Sequence, residues 1–204
     1  MELIIIRHGQ SEADILNVHE GRADFPLTSL GELQARKMAK YVAKNIQPEI
    51  IISSPLKRAK QTAEILQTYT KCELLLEPNL MEFNNGVLAG LSREEAAHMY
   101  PLPKSGRPIY VPIKNGESEL EFRYRADYVF HKIITEYNMY NRVAIVSHGG
   151  LISNLLQTFL DLPVASKVAF ATGDTGFHYL AMTENSRIIK FLNMQAHLQV
   201  ESIR

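Results

Sequence analysis

Two histidines and two arginines stand where short apolar runs stop. Leu3 to Ile6 is followed by Arg7-His8-Gly9, and Ile50 to Ile52 by Ser53-Ser54-Pro55-Leu56-Lys57-Arg58. Val143 to Val146 leads into Ser147-His148-Gly149-Gly150. Arginines fork onto the non-bridging oxygens of a phosphate and stabilise the charge that develops during its transfer. A neutral imidazole nitrogen is a competent nucleophile toward phosphorus and yields a phosphohistidine. Departure of an alkoxide needs a proton, which arginine cannot supply at neutral pH. Glu82, within Leu80-Met81-Glu82-Phe83-Asn84-Asn85-Gly86, is the candidate acid, and its apolar flanks are expected to raise its pKa. This chemistry needs no metal and no cofactor. The sequence offers no clustered Asp/His ligand set and no glycine-rich nucleotide loop of the Walker or Rossmann type.

The elements that must position these groups are legible from periodicity. The three apolar runs are short and β-branched, as strands buried on both faces are. Ala35, Met38, Ala39, Val42 and Ile46 form a helical stripe, as do Phe122, Ala126, Val129, Phe130, Ile133 and Tyr137. Buried strands alternating with amphipathic helices predict an α/β fold, a three-layer α/β/α sandwich around a mostly parallel sheet. In such a sheet the C-terminal strand ends share one edge, where α/β folds bind ligands. That edge would gather Arg7, His8, Arg58 and His148. Ser54 is read as the N-cap and Pro55 as the first residue of the following helix. Two helix N-termini are then expected to add N–H donors and positive dipole to an anion pocket. The four prolines from Pro101 to Pro112 mark a loop, and Val168 to Met194 reads as two or three further strands, Arg187 to Phe191 the clearest.

Composition sets the bounds. The 204 residues favour one domain, 1–204, with 46% hydrophobic and 22% charged residues. Lys plus Arg and Asp plus Glu each total 22, which gives no support for a nucleic-acid partner or a polybasic membrane anchor. Cys72 is the single cysteine, so neither an intrachain disulfide nor a thiolate metal cage can form. The N-terminal apolar run is too short for a signal peptide, and no stretch approaches the ~20 residues of a membrane span. The expected location is the cytoplasm. Oligomeric state is left open, with a homodimer among the options.

Taken together, the motifs resemble those of the histidine phosphatase superfamily, which includes the cofactor-dependent phosphoglycerate mutases. Arg7-His8-Gly9-Gln10-Ser11 is similar to the family's opening motif, whose histidine is phosphorylated. Leu27-Thr28 with Gly31, Gln34 and Ala35 resembles the segment that follows, and Ser54 to Ala63 resembles the second-arginine helix. Glu82 with Gly86 and Gly90 is similar to the proton-donor segment, and Gly116-Glu117-Ser118 to a motif opening the next helix. Ser147 to Gly150 resembles the second-histidine motif, and Asn193 with His197-Leu198 the usual ending. The resemblance implies catalytic roles for His8, Arg7, Arg58, His148 and Glu82, and substrate contacts from Asp14, Glu20, Gly21 and Gly149.

Two positions depart from the family pattern. Asp14 stands where an asparagine is common, and Glu20 stands before Gly21 where threonine or glutamine is common. Carboxylates repel a dianion unless paired or protonated. Asp14 is therefore expected to be neutralised by a neighbouring Arg or His, and Glu20 to read a polar or cationic substrate group. Mutases of this family resemble longer chains with paired arginines after the proton-donor segment, whereas Leu91 to Pro112 is short and holds only Arg93 and Arg107. The expected function is metal-independent phosphomonoester hydrolysis on a small phosphorylated metabolite. The alternatives are a cofactor-dependent phosphoglycerate mutase and a phospholigand-binding module without turnover. Substrate specificity is expected from Glu20, Arg22, Asn84, the proline-rich loop and His178.

Overall fold

A computed structural model describes residues 1–199. In chain order the elements are β1 (Glu2–Arg7), α1 (Glu12–Leu16), α2 (Ser29–Asn45), β2 (Ile50–Ser53), α3 (Lys57–Thr70) and β3 (Glu73–Leu76). There follow α4 (Arg93–Met99), α5 (Glu119–Glu136), β4 (Arg142–Ser147), α6 (Gly149–Phe159), β5 (Phe177–Met182) and β6 (Arg187–Met194). The six strands form one sheet in the order β3-β2-β4-β1-β5-β6. The first four run parallel, and β5 and β6 are antiparallel additions at one side. Alternate residues of the apolar runs feed opposite faces, as the two-residue period of a strand requires. Leu3, Ile5, Ile50, Ile52, Val143 and Ile145 pack under α5 and α6. Ile4, Ile6, Ile51, Ala144 and Val146 pack under α2 and α3. The result is the expected α/β/α sandwich.

Register aligns the chemistry. Arg7 pairs with Ser147 and Ser53 with Val146, so β1, β2 and β4 end at one level. The side chains gathered beyond those ends include His8 and Arg58, 50 positions apart in sequence, and His148, further along again. One expectation is corrected. α3 begins at Lys57 with Leu56 as N-cap, two residues later than Ser54 and Pro55 suggested. Ser54 is needed elsewhere: its hydroxyl accepts the Leu56 N–H at 3.3 Å and bonds His148 Nε2 at 2.8 Å. Val168 to Met194 contains two strands, and the stretch from 168 to 176 is irregular. The loop from Pro101 to Pro112 is irregular, as its prolines require. No helix among the described residues is long and apolar enough to cross a membrane.

Candidate active site

Four of the five expected catalytic residues meet at the strand ends. His8 and His148 are buried with ring centroids 5.1 Å apart, and Arg58 is wholly buried beside them. His8 Nδ1 lies 2.7 Å from the Gly9 carbonyl, which can only accept, so Nδ1 carries the proton and Nε2 keeps its lone pair. Arg58 Nε donates to that Nε2 at 3.3 Å. Burial, followed by the charges of Arg58 and Arg7, holds the His8 imidazole well below its ordinary range, so it is neutral. His148 is held down by burial and then by Arg58, His8 and Arg7. Ser54 Oγ keeps its own proton after accepting from Leu56, and when that proton is given to His148 Nε2 the proton of that ring sits on Nδ1. His148 Nδ1 and Arg7 Nε are both buried without a partner among the described residues.

The arginines are fixed by backbone carbonyls. Arg58 Nη1 and Nη2 donate to Ala23 and Gly21 carbonyls at 3.0 and 2.8 Å. Gly21 thus holds the arginine, and its left-handed φ of 47° packs it so closely on the Asn85 side chain that a Cβ there would collide. Arg7 Nη1 donates to the Thr172 carbonyl at 2.6 Å, and Thr172 Oγ1 is held in turn by His178 Nε2 at 2.8 Å. His178 therefore serves the site by position, from beneath, and does not line it. Thr62 braces the centre, donating to the Arg58 carbonyl and accepting the Gly9 N–H.

Carboxylates account for the departures. Asp14 lies 4.0 Å from Arg7 Nη2, which meets the expectation of a neighbouring arginine, and its Oδ2 accepts the Ser11 N–H at 2.8 Å. Glu20 finds partners within the protein rather than facing a substrate group. Its Oε2 lies 3.2 Å from Arg58 Nε and 3.9 Å from His8 Nε2, while Ser11 Oγ donates to Oε1 at 2.5 Å. Asp174, which no sequence pattern singled out, stands 3.4 Å from Arg7 Nη2.

Glu82 lies at the start of α6. Its Oε2 accepts the Gly150 N–H at 2.8 Å, and its Oε1 accepts those of Leu151 and Phe83 at 3.1 and 2.9 Å. The apolar surroundings expected for this carboxyl are thus replaced by three backbone donors. The α6 N-terminus accordingly serves the candidate acid, and at α3 the Lys57 N–H is taken by Asp24 at 2.7 Å. Two N–H groups of the α6 terminus and one of the α3 terminus are thus spent on carboxylates. Gly149 opens α6 in ordinary van der Waals reach of Arg7, whereas a Cβ on Gly150 would come within 2.6 Å of Glu82 Oε1.

Arg125 was missed as a site residue because it sits on a helix with an unremarkable pattern. Its Nη1 donates to the Asn79 and Met81 carbonyls at 2.8 and 2.7 Å, and its Nη2 donates to Glu82 O at 3.1 Å. Glu117 pairs with Arg125 at 2.6 Å and accepts the Asn84 N–H at 2.7 Å. The segment carrying the acid is therefore clamped to α5. The motif Gly116-Glu117-Ser118 was the available signal, since Glu117 needs a cation. Beside Phe83, a cavity of about 290 Å³ is lined by Arg107, Val111, Ile113 and Phe122.

Residues 3–195 match the family model of the histidine phosphatase superfamily, branch 1. The chain is 34% identical over 168 residues to a protein of Escherichia fergusonii named "Probable phosphoglycerate mutase GpmB", covering 80% of this chain and 76% of that one. It is 26% identical over 201 residues to phosphoserine phosphatase 1 of Hydrogenobacter thermophilus, covering 97% and 94%. The mycobacterial glucosyl-3-phosphoglycerate phosphatase, solved with inorganic phosphate, superposes with a TM-score of 0.82 at 26% identity, covering 97% of this chain and 99% of that one.

Proposed function

The chain belongs to branch 1 of the histidine phosphatase superfamily, and from that premise we propose that it hydrolyses phosphomonoesters through a phosphohistidine on His8, without a metal. The observation that carries this is the His8 imidazole: neutral, buried, its Nδ1 proton committed to Gly9, its Nε2 lone pair beside Arg58. The phosphoryl dianion is held between Arg7 and Arg58, with Arg7 Nε and His148 Nδ1 as further donors. His8 Nε2 forms the N–P bond as the ester P–O bond breaks, and Glu82 gives its proton to the departing alkoxide. Of the two Glu82 oxygens, Oε2 accepts a single N–H and keeps a lone pair for that proton. Water then attacks phosphorus, Glu82 takes its proton, the N–P bond breaks and inorganic phosphate leaves.

Phosphoserine and glucosyl-3-phosphoglycerate, the compounds named for two relatives, are both small phosphomonoesters and support a small phosphorylated metabolite as substrate. Hydrolysis is favoured over mutation because the segment after Glu82 supplies few cations. Arg93 is exposed on α4 with Asn17 as its contact, and Arg107 lines the cavity by Phe83. A mutase must hold its intermediate while the intermediate turns, which asks for more. A cytoplasmic homodimer completes the reading. The β6 edge supports self-association, since Ile188, Phe191 and Leu192 are exposed there, and light scattering tests it.

The decisive experiment is hydrolysis of a chromogenic aryl phosphate in the presence of chelator, with His8→Ala alongside. Wild type is expected to turn over and to leave an acid-labile phosphoenzyme on quenching, while His8→Ala does neither. Full activity of His8→Ala, or an inactive wild type, overturns the reading. Interconversion of phosphoglycerates primed by the bisphosphate would instead establish the mutase.

A further inference from the structure

Three carboxylates stand against the two arginines that hold the phosphoryl group, a role that rests on the reading above. Asp174 and Asp14 face Arg7 at 3.4 and 4.0 Å, and Glu20 faces Arg58 at 3.2 Å. With both imidazoles neutral, the ionised pocket opposes a dianion. Glu20 is the most demanding of the three. Its Oε2 is 3.9 Å from His8 Nε2, the attacking atom, and 3.2 Å from Arg58 Nε, which bonds that same Nε2.

A second observation concerns protons. Ser11 Oγ lies 2.5 Å from Glu20 Oε1 and 3.1 Å from Asp14 Oδ2. A hydroxyl has one proton and can donate to one of them at a time. Asp14 Oδ2 also accepts the Ser11 N–H at 2.8 Å. Joining all three oxygens by hydrogen bonds takes one proton more than two carboxylates and a hydroxyl possess.

We propose that Glu20 takes up one proton when the phosphoryl dianion binds and releases it when phosphate leaves. The proton comes from solvent and rests on Glu20 Oε1, which donates to Ser11 Oγ, while the Ser11 hydroxyl donates to Asp14 Oδ2. Glu20 Oε2 is left as a neutral carbonyl oxygen beside Arg58 Nε. No bond to phosphorus involves Glu20. Its surroundings favour this. Burial raises the Glu20 carboxyl above its ordinary range and Asp14 adds to the rise, against Arg58, the Ser11 hydrogen bond and Arg7. The groups facing it are Arg7 at the end of β1, His8 just after it, Ser11 and Asp14 at the start of α1, and Arg58 from α3; Glu82 acts on Arg58, His148 packs on His8, and Asp174 pairs with Arg7. Asp174 is also raised by burial, but its contact is with Arg7.

Sulfate is the probe, because it remains a dianion across the range and brings no titration of its own. Its Kd is measured by calorimetry between about pH 5.5 and about pH 8, in buffers of different ionisation enthalpy. For wild type, Kd is expected to rise about tenfold per pH unit toward the alkaline end, with about one proton taken up per sulfate. Glu20→Gln is expected to bind independently of pH and at least about tenfold more tightly than wild type near pH 8. Glu20→Ala is expected to lose the pH slope as well, and it carries the measurement if Glu20→Gln does not fold. Asp174→Asn is expected to keep the wild-type slope. A slope that survives in both Glu20 variants, or disappears in Asp174→Asn, places the proton elsewhere and overturns the inference. A flat wild-type profile with tighter Glu20→Gln means that Glu20 moves aside as a carboxylate, and also overturns it. In those cases the phosphatase reading stands. Failure of sulfate to bind wild type and both Glu20 variants at every pH removes the phosphoryl pocket and both conclusions with it.

Discussion

His8, Arg58 and His148 sit at or just beyond the ends of adjacent parallel strands, whereas Glu82 lies on an irregular stretch between β3 and α4. The nucleophile's half inherits its precision from the sheet. β1, β2 and β4 are hydrogen-bonded in register, and the residues that follow them are buried on all sides. The acid's half has no ladder to hold it. Three carbonyls, of Asn79, Met81 and Glu82, are tied to one guanidinium, and the Glu82 carboxyl is seated on the first turn of α6. One half is placed by strand pairing and the other by a side-chain clamp. Their variants should therefore fail differently: through loss of a charge aimed at the anion on the first side, and through misplacement of the candidate acid on the second.

Arg58→Ala is the largest test. On the proposed mechanism it removes a charge that phosphoryl transfer needs, and it leaves Glu20 beside His8 without its cation. Aryl phosphatase kcat/KM is expected to fall by about 10³-fold, with a phosphoenzyme formed too slowly to trap. Glu82→Gln comes next and sharpens the contrast through the leaving group. In kcat/KM, which reports phosphorylation of His8 and not the later attack of water, an alkyl phosphate is expected to lose about 10²-fold and a nitrophenyl ester far less, because that alcohol departs without a proton. Equal losses on both substrates would show that Glu82 is not the acid.

Arg125→Ala addresses the clamp. It strands the carbonyls of Asn79, Met81 and Glu82 and leaves Glu117 unpaired, so urea denaturation is expected to show a loss of about 2–4 kcal/mol. Activity should fall about tenfold in kcat with a small change in KM, and Arg125→Lys should restore part of both. A loss of activity with full stability would place Arg125 among the reacting groups and break the comparison.

The smallest effect concerns the support beneath Arg7. Burial lowers the His178 pKa from 6.5 to about 4. Above pH ~6.5 both the folded and the unfolded forms are neutral and the contribution to stability is complete. As pH falls toward 4 the unfolded chain binds the proton first, so stability declines through that window and the loss is complete below it. The expected loss between about pH 7 and pH 4.5 is on the order of 2 kcal/mol from this group, read from urea midpoints. His178→Asn should flatten part of that slope.

Much of the nucleophile's half was legible because the apolar runs and the residues ending them are contiguous. Arg7-His8-Gly9 and Ser147-His148-Gly149 each state a strand and its terminus in one stretch. The α3 start was misplaced by two residues because Ser54 and Pro55 satisfy local capping rules, while the Ser54 hydroxyl is drawn away to His148, more than ninety positions along the chain. Glu82 was found but its environment was misjudged, since apolar neighbours in sequence say nothing of the helix terminus that a neighbouring element brings. Arg125 and Asp174 were missed for a similar reason. A helix-face arginine and a loop aspartate carry no local pattern that distinguishes a clamp or a counter-charge from solvated residues.

Zero net charge excluded a broadly basic surface and left room for a small cationic pocket, whose cations, candidate nucleophile and aligning sheet are all readable along the chain. Period and punctuation are local, and in a parallel sheet local strand ends converge by topology. Only the tertiary structure decided how those cations are balanced. Asp14, Glu20 and Asp174 reach the arginines from three separate segments, and burial there makes each charge depend on the others. Whether a carboxylate meets a cation, a proton or a phosphate is a matter of a few ångströms, and the chain acquires those distances only by folding.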